Sequence, residues 1–361
     1  MEKSIEVVLL NRWTHLIQGH GQDEVERVKN FVFEEYGLKS RIFCITSEFG
    51  DIHKAPPLNP LDLIPNLFRR GWVFRVSLKK FRNDIYRTWA NVLNKETEID
   101  LRVVLTSGDF RDVLELTRIS NGKFKVYARV THYNPEVLSS QEKLLLSSAA
   151  DNGLLRLGIE TQSARRNFSD LGFVLKSYWV PPAQGMHDFQ ADYQVEDLKI
   201  GLIYALNHKP SVESVRNLLE KLSCYNLIVR LPNHKSYYFL KSLYPKVKFI
   251  ENGLALNDFE ESLSKVNFAI LPHQGYKLKG SGLAYYFLAK GVPILIDKNN
   301  SFFDEISQSN LVISCNDVPN LTQSFLNKAL ANRFTVSPIE ESANIRKRVK
   351  LQWSEFLNGI D

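Results

Sequence analysis

The chain has 361 residues, 44% hydrophobic and 24% charged, a composition that supports a sizeable folded core and excludes an intrinsically disordered chain. Its net charge of +6 favours anionic partners without choosing among nucleic acid, membrane surfaces and phosphorylated small molecules. Cys44, Cys224 and Cys315 are too scattered for a disulfide framework or a paired-cysteine metal site, and no apolar run approaches the roughly 20 residues of a spanning helix.

Two domains suit this length. Residues 5–10, apolar except for Glu6, form the first predicted strand. Gly19, His20 and Gly21 then break the chain, and apolar residues at Val25, Val28, Val32 and Phe33 predict a helix over 22–36, stopped at Gly37. A second strand follows at 41–46, and the proline-rich stretch 50–66 reads as loop. Between residues 68 and 89 seven basic residues (Arg69, Arg70, Arg75, Lys79, Lys80, Arg82 and Arg87) interleave with Phe68, Trp72, Phe74, Phe81, Tyr86 and Trp89. This patch reads either as a solvated face packed with its own aromatics or as an acceptor or anionic-membrane contact. Strands at 101–106, 125–130 and 155–159, with a helix over 110–119, complete a strand-helix alternation around a mainly parallel sheet.

The texture changes near residues 178–197, where a proline pair is followed by a polar stretch. The domain organisation read from this is an N-terminal domain over 1–180, a linker over 181–197, a second domain over 198–340 and a C-terminal helix within 341–361. Predicted strands of the second domain are 199–203, 226–231, 247–250, 268–271, 293–296 and 311–314. Helices at 212–222, 236–243, 259–266, 283–290 and 321–329 alternate with them as in a doubly wound sheet. A basic helix over 345–357 carries Trp353.

The segment from Ile270 to Asp297 carries the most chemistry. A strand ends, a basic loop with Lys277 and Lys279 follows, Gly280-Ser281-Gly282 opens a helix, and Gly291-Val292-Pro293 closes it before the next strand. Free amides and the positive dipole end of a helix start favour phosphate, and glycines let a ligand approach the backbone. Strand, Pro-x-x-x, Lys-Gly-Ser-Gly, helix, Ala-x-Gly-x-Pro, strand, in that order, resembles the donor-binding region of the large retaining family of GT-B glycosyltransferases. Residues 247–272 are similar to that family's run from its base-binding loop to the strand before the phosphate site. Residues 159–182 resemble the close of its N-terminal domain, and 198–209 the first strand and loop of its donor domain.

The resemblance implies an α/β GT-B fold, two Rossmann-like doubly wound domains facing a cleft, with the C-terminal helix returning to the N-terminal domain. It implies transfer of a sugar, a hexose for choice, from a nucleoside-diphosphate sugar to a glycan, lipid-linked or protein hydroxyl, with retention of configuration. The nucleotide sugar is then a co-substrate and no separate cofactor is expected. Donor-binding residues carried over are Gly19, Gly21, Lys209, Asn252, Gly253, Leu254, His273, Lys277, Lys279, Gly280, Ser281, Gly282 and Tyr286. His132, after a strand, and His20 would face the sugar. Two glutamates of the family fall on Leu278 and Tyr286 and its diphosphate arginine falls on Ala205, so Tyr286 is expected to stand in the donor cleft in place of the ribose-binding glutamate. These departures motivate a second reading, a catalytically silent subunit of a glycosylation complex. A sugar-nucleotide epimerase is a third.

There is no Asp-x-Asp, no His-x-x-x-His and no Cys/His cluster, so no catalytic metal is expected. Neither a nucleic-acid-binding sheet signature nor a helix-turn-helix is present, which places nucleic acid low among the partners. The expected location is cytoplasmic, with peripheral contact to the inner face of a membrane through residues 68–89.

Overall fold

The computed structural model describes residues 5–11, 20–44, 52–54, 86–93, 101–132, 135–170, 176–188, 198–205, 210–232, 234–251, 256–272, 280–332 and 337–360. In the first half, β1 (Ile5–Asn11), β2 (Ser40–Cys44), β3 (Ile52–Lys54), β4 (Leu101–Asp109), β5 (Lys125–His132), β6 (Leu155–Ile159) and β7 (Ser177–Trp179) form one sheet. Its spatial order is β3-β2-β1-β4-β5-β6-β7, and every pairing is parallel. Helices on both faces make both sides of the central strands interior, which is why Val7–Leu10 and Val103–Leu105 are unbroken apolar runs. The proline-rich stretch, expected to be loop throughout, contributes the short edge strand β3 beside β2. An edge position tolerates such a neighbourhood because one side of the strand needs no ladder partner.

Around this sheet lie α1 (His20–Tyr36), α2 (residues 86–93), α3 (Phe110–Ser120), α4 (Ser140–Asp151) and α5 (Gln162–Asp170). Asp109 and Asp112 cap α3 reciprocally, each side chain accepting from the other's amide, and the Tyr86 hydroxyl donates to Asp112 at 3.0 Å. Tyr86 and Trp89 are core residues, Trp89 edge-on against Phe43, so these two aromatics do not belong to an exposed basic-aromatic face. The rest of that patch, 68–85, lies outside the described residues.

The second half repeats the plan with β8 (Lys199–Ile203), β9 (Asn226–Arg230), β10 (Lys248–Phe249), β11 (Phe268–Leu271), β12 (Ile294–Asp297) and β13 (Val312–Cys315), again all parallel, in the order β10-β9-β8-β11-β12-β13. Its helices are α6 (Val212–Leu222), α7 (Tyr238–Leu243), α8 (Leu256–Ser264), α9 (Gly282–Ala289), α10 (Phe303–Ile306) and α11 (Gln323–Asn332). Between the halves, the short 3-10 turn Ala183–Met186 is wholly buried. The last helix, α12 (Pro338–Leu357), crosses from the second half to the first. There the Trp353 indole N–H donates to the Pro181 carbonyl at 3.0 Å and Arg156 donates to the Phe356 carbonyl at 3.0 Å. One apolar core therefore runs through both halves, from Val7 and Val103 through Tyr285 to Ile203 and Val349. Among the described residues no helix is long and apolar enough to cross a membrane.

Candidate active site at the seam between the sheets

Each sheet has one place where the strand order reverses, between β1 and β4 in the first and between β8 and β11 in the second. Chains leave such a point in opposite directions and open a crevice at the carboxyl ends of the strands. The chain after β1 leads into α1, and the chain after β11 leads into α9, so both candidate loops spring from these reversals. The structure brings the residues beside them together.

Arg129 of β5 organises the first side. An arginine in the middle of an apolar strand has no solvent to reach, and its side chain is 1% exposed. All three of its nitrogens are used: Nε donates to the Val180 carbonyl at 3.0 Å, Nη1 to Glu24 at 2.6 Å and Nη2 to Glu160 at 2.7 Å. Burial works against its charge, but Glu24 and Glu160 more than compensate and raise its affinity for the proton. Glu24, in the first turns of α1, also accepts from the Ser107 hydroxyl at 2.7 Å. A small cleft opens here, lined by Leu9, Glu24, Thr106, Ser107, Arg129 and Trp353.

The second side is the start of α9. Ser281 caps it, its hydroxyl accepting from the Ala284 amide at 3.3 Å, and the Gly280 amide donates to Glu160 at 3.2 Å. A Cβ on Gly280 would lie 2.9 Å from the Glu160 side chain and 3.1 Å from Pro182, and one on Gly282 would lie 3.1 Å from Gln184. The glycines thus serve close approach, as their sequence suggests, but what approaches is the closing segment of the first half rather than open space for a ligand.

Deeper in the seam, Glu305 of α10 ties the halves together. It accepts from the Gln162 amide at 2.5 Å on the first-half side and from the Tyr285 hydroxyl at 3.2 Å on the second. Burial pushes its carboxyl up to about 8, with the Glu160 charge adding to the effect, so it holds its proton at neutral pH.

Tyr286 is 2% exposed and packs edge-on against the His187 ring at 4.7 Å, with the Lys290 ammonium over its other side. Its ring is therefore covered by the linker instead of facing an open donor cleft. Beyond it, His187 Nε2 lies 3.0 Å from Asp23 Oδ1 and 3.2 Å from Glu260 Oε1. These donor atoms converge as metal ligands do, all within 4.8 Å. However, the Arg27 guanidinium stands 3.1 Å from the same Asp23 oxygen and 3.6 Å from the same Glu260 oxygen, so a side chain already supplies the positive charge. The His187 contact holds the Glu260 carboxyl below its ordinary range.

Of the residues singled out in sequence, His20 and Gly21 form the first turn of α1 instead of a preceding loop, and His132 ends β5 in register with Asp109. Gly280, Ser281, Gly282 and Tyr286 lie at the seam. Gly19, Lys209, Asn252, Gly253, Leu254, His273, Lys277 and Lys279 lie outside the described residues. Sequence reading missed Glu24, Arg129, Glu160 and Glu305. Arg129 left a signal, a lone cation inside Val-Tyr-Ala-Arg-Val, and Glu160 left another, an acid directly after the apolar β6.

No protein-family model matches the chain, and no curated protein matches it. Solved structures do. The N-terminal domain of trehalose-6-phosphate phosphatase from Candida albicans superposes with a TM-score of 0.63 at 13% identity, covering 100% of this chain and 99% of that one. A putative UDP-N-acetylglucosamine 2-epimerase from Listeria monocytogenes gives 0.61 at 13% identity, covering 100% and 98%. The lipopolysaccharide outer core galactosyltransferase WaaB gives 0.58 at 10% identity, covering 99% of each chain. At these identities the likeness establishes the architecture: the chain has the α/β GT-B fold, two Rossmann-like parallel sheets facing one another.

Proposed function

We propose that the chain transfers a sugar from a nucleoside-diphosphate sugar to a hydroxyl of a glycan, lipid-linked or protein acceptor, in the crevice between its sheets. One observation carries this reading: the start of α9, an anion-seeking helix end, sits at the strand-order reversal of the second sheet and faces the carboxyl ends of β5 and β6 in the first. In this reading the Gly280–Gly282 amides, with Lys209, Lys277 and Lys279, neutralise the diphosphate. Asn252, Gly253 and Leu254 lie near the base, Gly19, Gly21 and His273 border the donor, and His20 and His132 face the sugar. The acceptor oxygen bonds to the anomeric carbon, the bond from that carbon to the diphosphate oxygen breaks, and the hydroxyl proton passes to the released diphosphate. Lysines and the helix dipole are aimed where that charge develops, so the step needs no metal, and the configuration is retained. A galactosyltransferase and a protein named for a UDP-sugar among the structures of this fold support a nucleotide-sugar donor.

A second reading, a catalytically silent subunit, is favoured by Glu160 and Gln184 already occupying the approach to Gly280 and Gly282. A thermal-shift screen of UDP-, GDP- and ADP-sugars separates the two. A ligand held only by the folded state at about a hundredfold over its Kd adds about 2.7 kcal/mol of stability. One donor class raising the melting temperature, followed by sugar transfer in the presence of an acceptor, is the expected result. No shift with any of them in a well-folded preparation overturns the enzyme reading in favour of the silent subunit.

A further inference from the structure

Among the described residues eight large hydrophobic side chains are exposed, and three of them, Tyr238, Phe239 and Leu243, stand on the six-residue helix α7 at 49%, 49% and 53%. An ordinary surface helix turns polar residues outward. Here Tyr237 and Leu240 anchor the inner side in the core shared with α6, the Tyr237 hydroxyl donating to the Pro210 carbonyl at 2.5 Å, and the exposed side carries Tyr238, Phe239 and Leu243 beside Lys241 and Ser242. Such a cluster is a contact surface more often than an accident.

Its surroundings choose the partner. Residues 234–250 contain Lys235, Lys241, Lys246 and Lys248, all exposed, and no acidic residue. Of the acids nearby, Glu220 pairs with Arg216 at 2.8 Å and accepts from Tyr244 at 3.5 Å, Glu261 pairs with Lys265 at 2.9 Å, and Glu251 follows β10 exposed, so lysines outnumber acids over residues 234–251 by four to one. Lys248 stands in the field of Glu261, which leaves Lys235, Lys241 and Lys246 as the cations closest in sequence to the apolar group. Exposed aromatic and aliphatic tips with exposed lysines close by in sequence match the boundary of an anionic bilayer, where rings settle at headgroup level and lysine stems lie along apolar surface with the ammonium in water. Leu243 offers a nucleic acid nothing to stack on, and the segment has no arginine to fork onto phosphate.

We propose that α7 and the edge strand β10 dock this chain peripherally on an anionic lipid surface, with Phe239 and Leu243 entering the acyl boundary and Lys235, Lys241 and Lys246 on the headgroups. The surface is separate from residues 68–89 and independent of any donor chemistry, so it stands or falls apart from the proposed function.

The test is co-sedimentation of the full chain with phosphatidylcholine vesicles, plain or with one-third phosphatidylglycerol. Binding to the anionic vesicles alone, weakening as salt shortens the screening length, is expected. Lys235→Glu/Lys241→Glu/Lys246→Glu should lower it by at least about a hundredfold, since each lysine at such a surface contributes about fivefold. Phe239→Ser/Leu243→Ser should lower it by about tenfold or more. All five side chains are exposed or half-buried tips, and unchanged melting temperatures verify that both variants fold. Equal binding to neutral vesicles, no binding by the wild type, or wild-type-like binding by both variants overturns the proposal. So does capture of a single-stranded oligonucleotide, but no vesicle, by the wild type with loss in the variants.

Discussion

The helices α1 and α9 each follow a strand beside their sheet's reversal, β1 on one side of it and β11 on the other, yet they satisfy their positive ends in opposite ways. Asp23 stands in the first turn of α1, with Glu24 beside it, and both carboxylates are engaged, Asp23 by Arg27 and His187, Glu24 by Ser107 and Arg129. α9 has no acid in its first turn, because Leu283 through Ala289 are all buried and leave no position for one. Its amide at Gly280 takes the carboxylate of Glu160 from the other half. One helix end is closed by its own sequence and the other is closed by loan. An anion that arrives from outside can exchange with Glu160 but not with Asp23, which makes α9 the end where a ligand and the seam compete.

Removing the cation behind that loan should have the largest effect. Arg129→Met leaves the buried Glu160 and the half-buried Glu24 without the counter-charge they share, a change that costs about 3–5 kcal/mol. Chemical denaturation should show the midpoint falling accordingly. Adding Glu24→Gln and Glu160→Gln to the same chain should restore much of the loss, since the penalty belongs to the uncompensated carboxylates. If Arg129→Met is neutral by itself, the seam is not held by this network.

Glu305 gives the next effect, and its sign follows from where its proton sits. The unfolded carboxyl titrates near its ordinary 4.5 and the folded one at about 8, so between those values folding retains a proton that the unfolded chain has released. Its contribution is fully present below the lower value and is lost as pH rises to the upper one. Glu305→Gln keeps an oxygen for the Gln162 amide and turns an NH2 donor to the Tyr285 hydroxyl, which can accept, but it never ionises. The variant should be more stable than the wild type at pH 9, by an amount on the order of a few kcal/mol, and closer to it at pH 5. Parallel melting curves that differ equally at both pH values would remove Glu305 from the account.

This contrast also explains what the sequence disclosed. Strands such as β1, β8 and β11 have apolar centres (Val7–Leu10, Ile200–Ile203, Phe268–Leu271) flanked by helical spacing, so the doubly wound halves were legible, and so was the helix start at Gly280 to Gly282 with its demand for an anion. The anion's identity was not. Glu160 is 120 residues from Gly280, and only the fold brings the two together. The resemblance implies that Tyr286 stands in the donor cleft in place of a ribose-binding glutamate, and nothing local in the sequence says that His187 of the linker packs on it. The four-residue α10 is too short for any periodicity, so Glu305 had no frame in which to be noticed.

If the donor diphosphate reaches α9, the basic loop before it should matter more than any single acid. Lys277→Ala/Lys279→Ala is expected to weaken the best nucleotide of the screen by about tenfold or more, as charge-assisted contacts contribute about 1.5–3 kcal/mol each when desolvated and less when exposed. Folding should be nearly unaffected, so calorimetric titration beside a melting curve checks both halves of the statement. Unchanged affinity removes these lysines from the site.

The smallest effect is the most direct test of the loan. Glu160 meets Arg129 with one oxygen and the Gly280 amide with the other, so Glu160→Gln keeps an acceptor for only one of these donors and removes the charge that competes with an incoming phosphate at the end of α9. A charge at a helix end is worth about 0.3–1 kcal/mol, and repulsion between Glu160 and a diphosphate adds to it, so the variant should bind the nucleotide about threefold to tenfold more tightly. One donor loses its acceptor, but Arg129 keeps its contact with Glu24, so the melting temperature should fall by less than in Arg129→Met. Titration of both forms at two salt concentrations gives the decisive pattern: the gain should shrink as salt rises, since it is a charge effect at a partly open site. Tighter binding would mean that phosphate and Glu160 share the Gly280 amide. Equal affinity would mean that the nucleotide is held without displacing Glu160, and absence of binding by both would leave the carboxylate as the permanent occupant of α9, as a silent subunit requires.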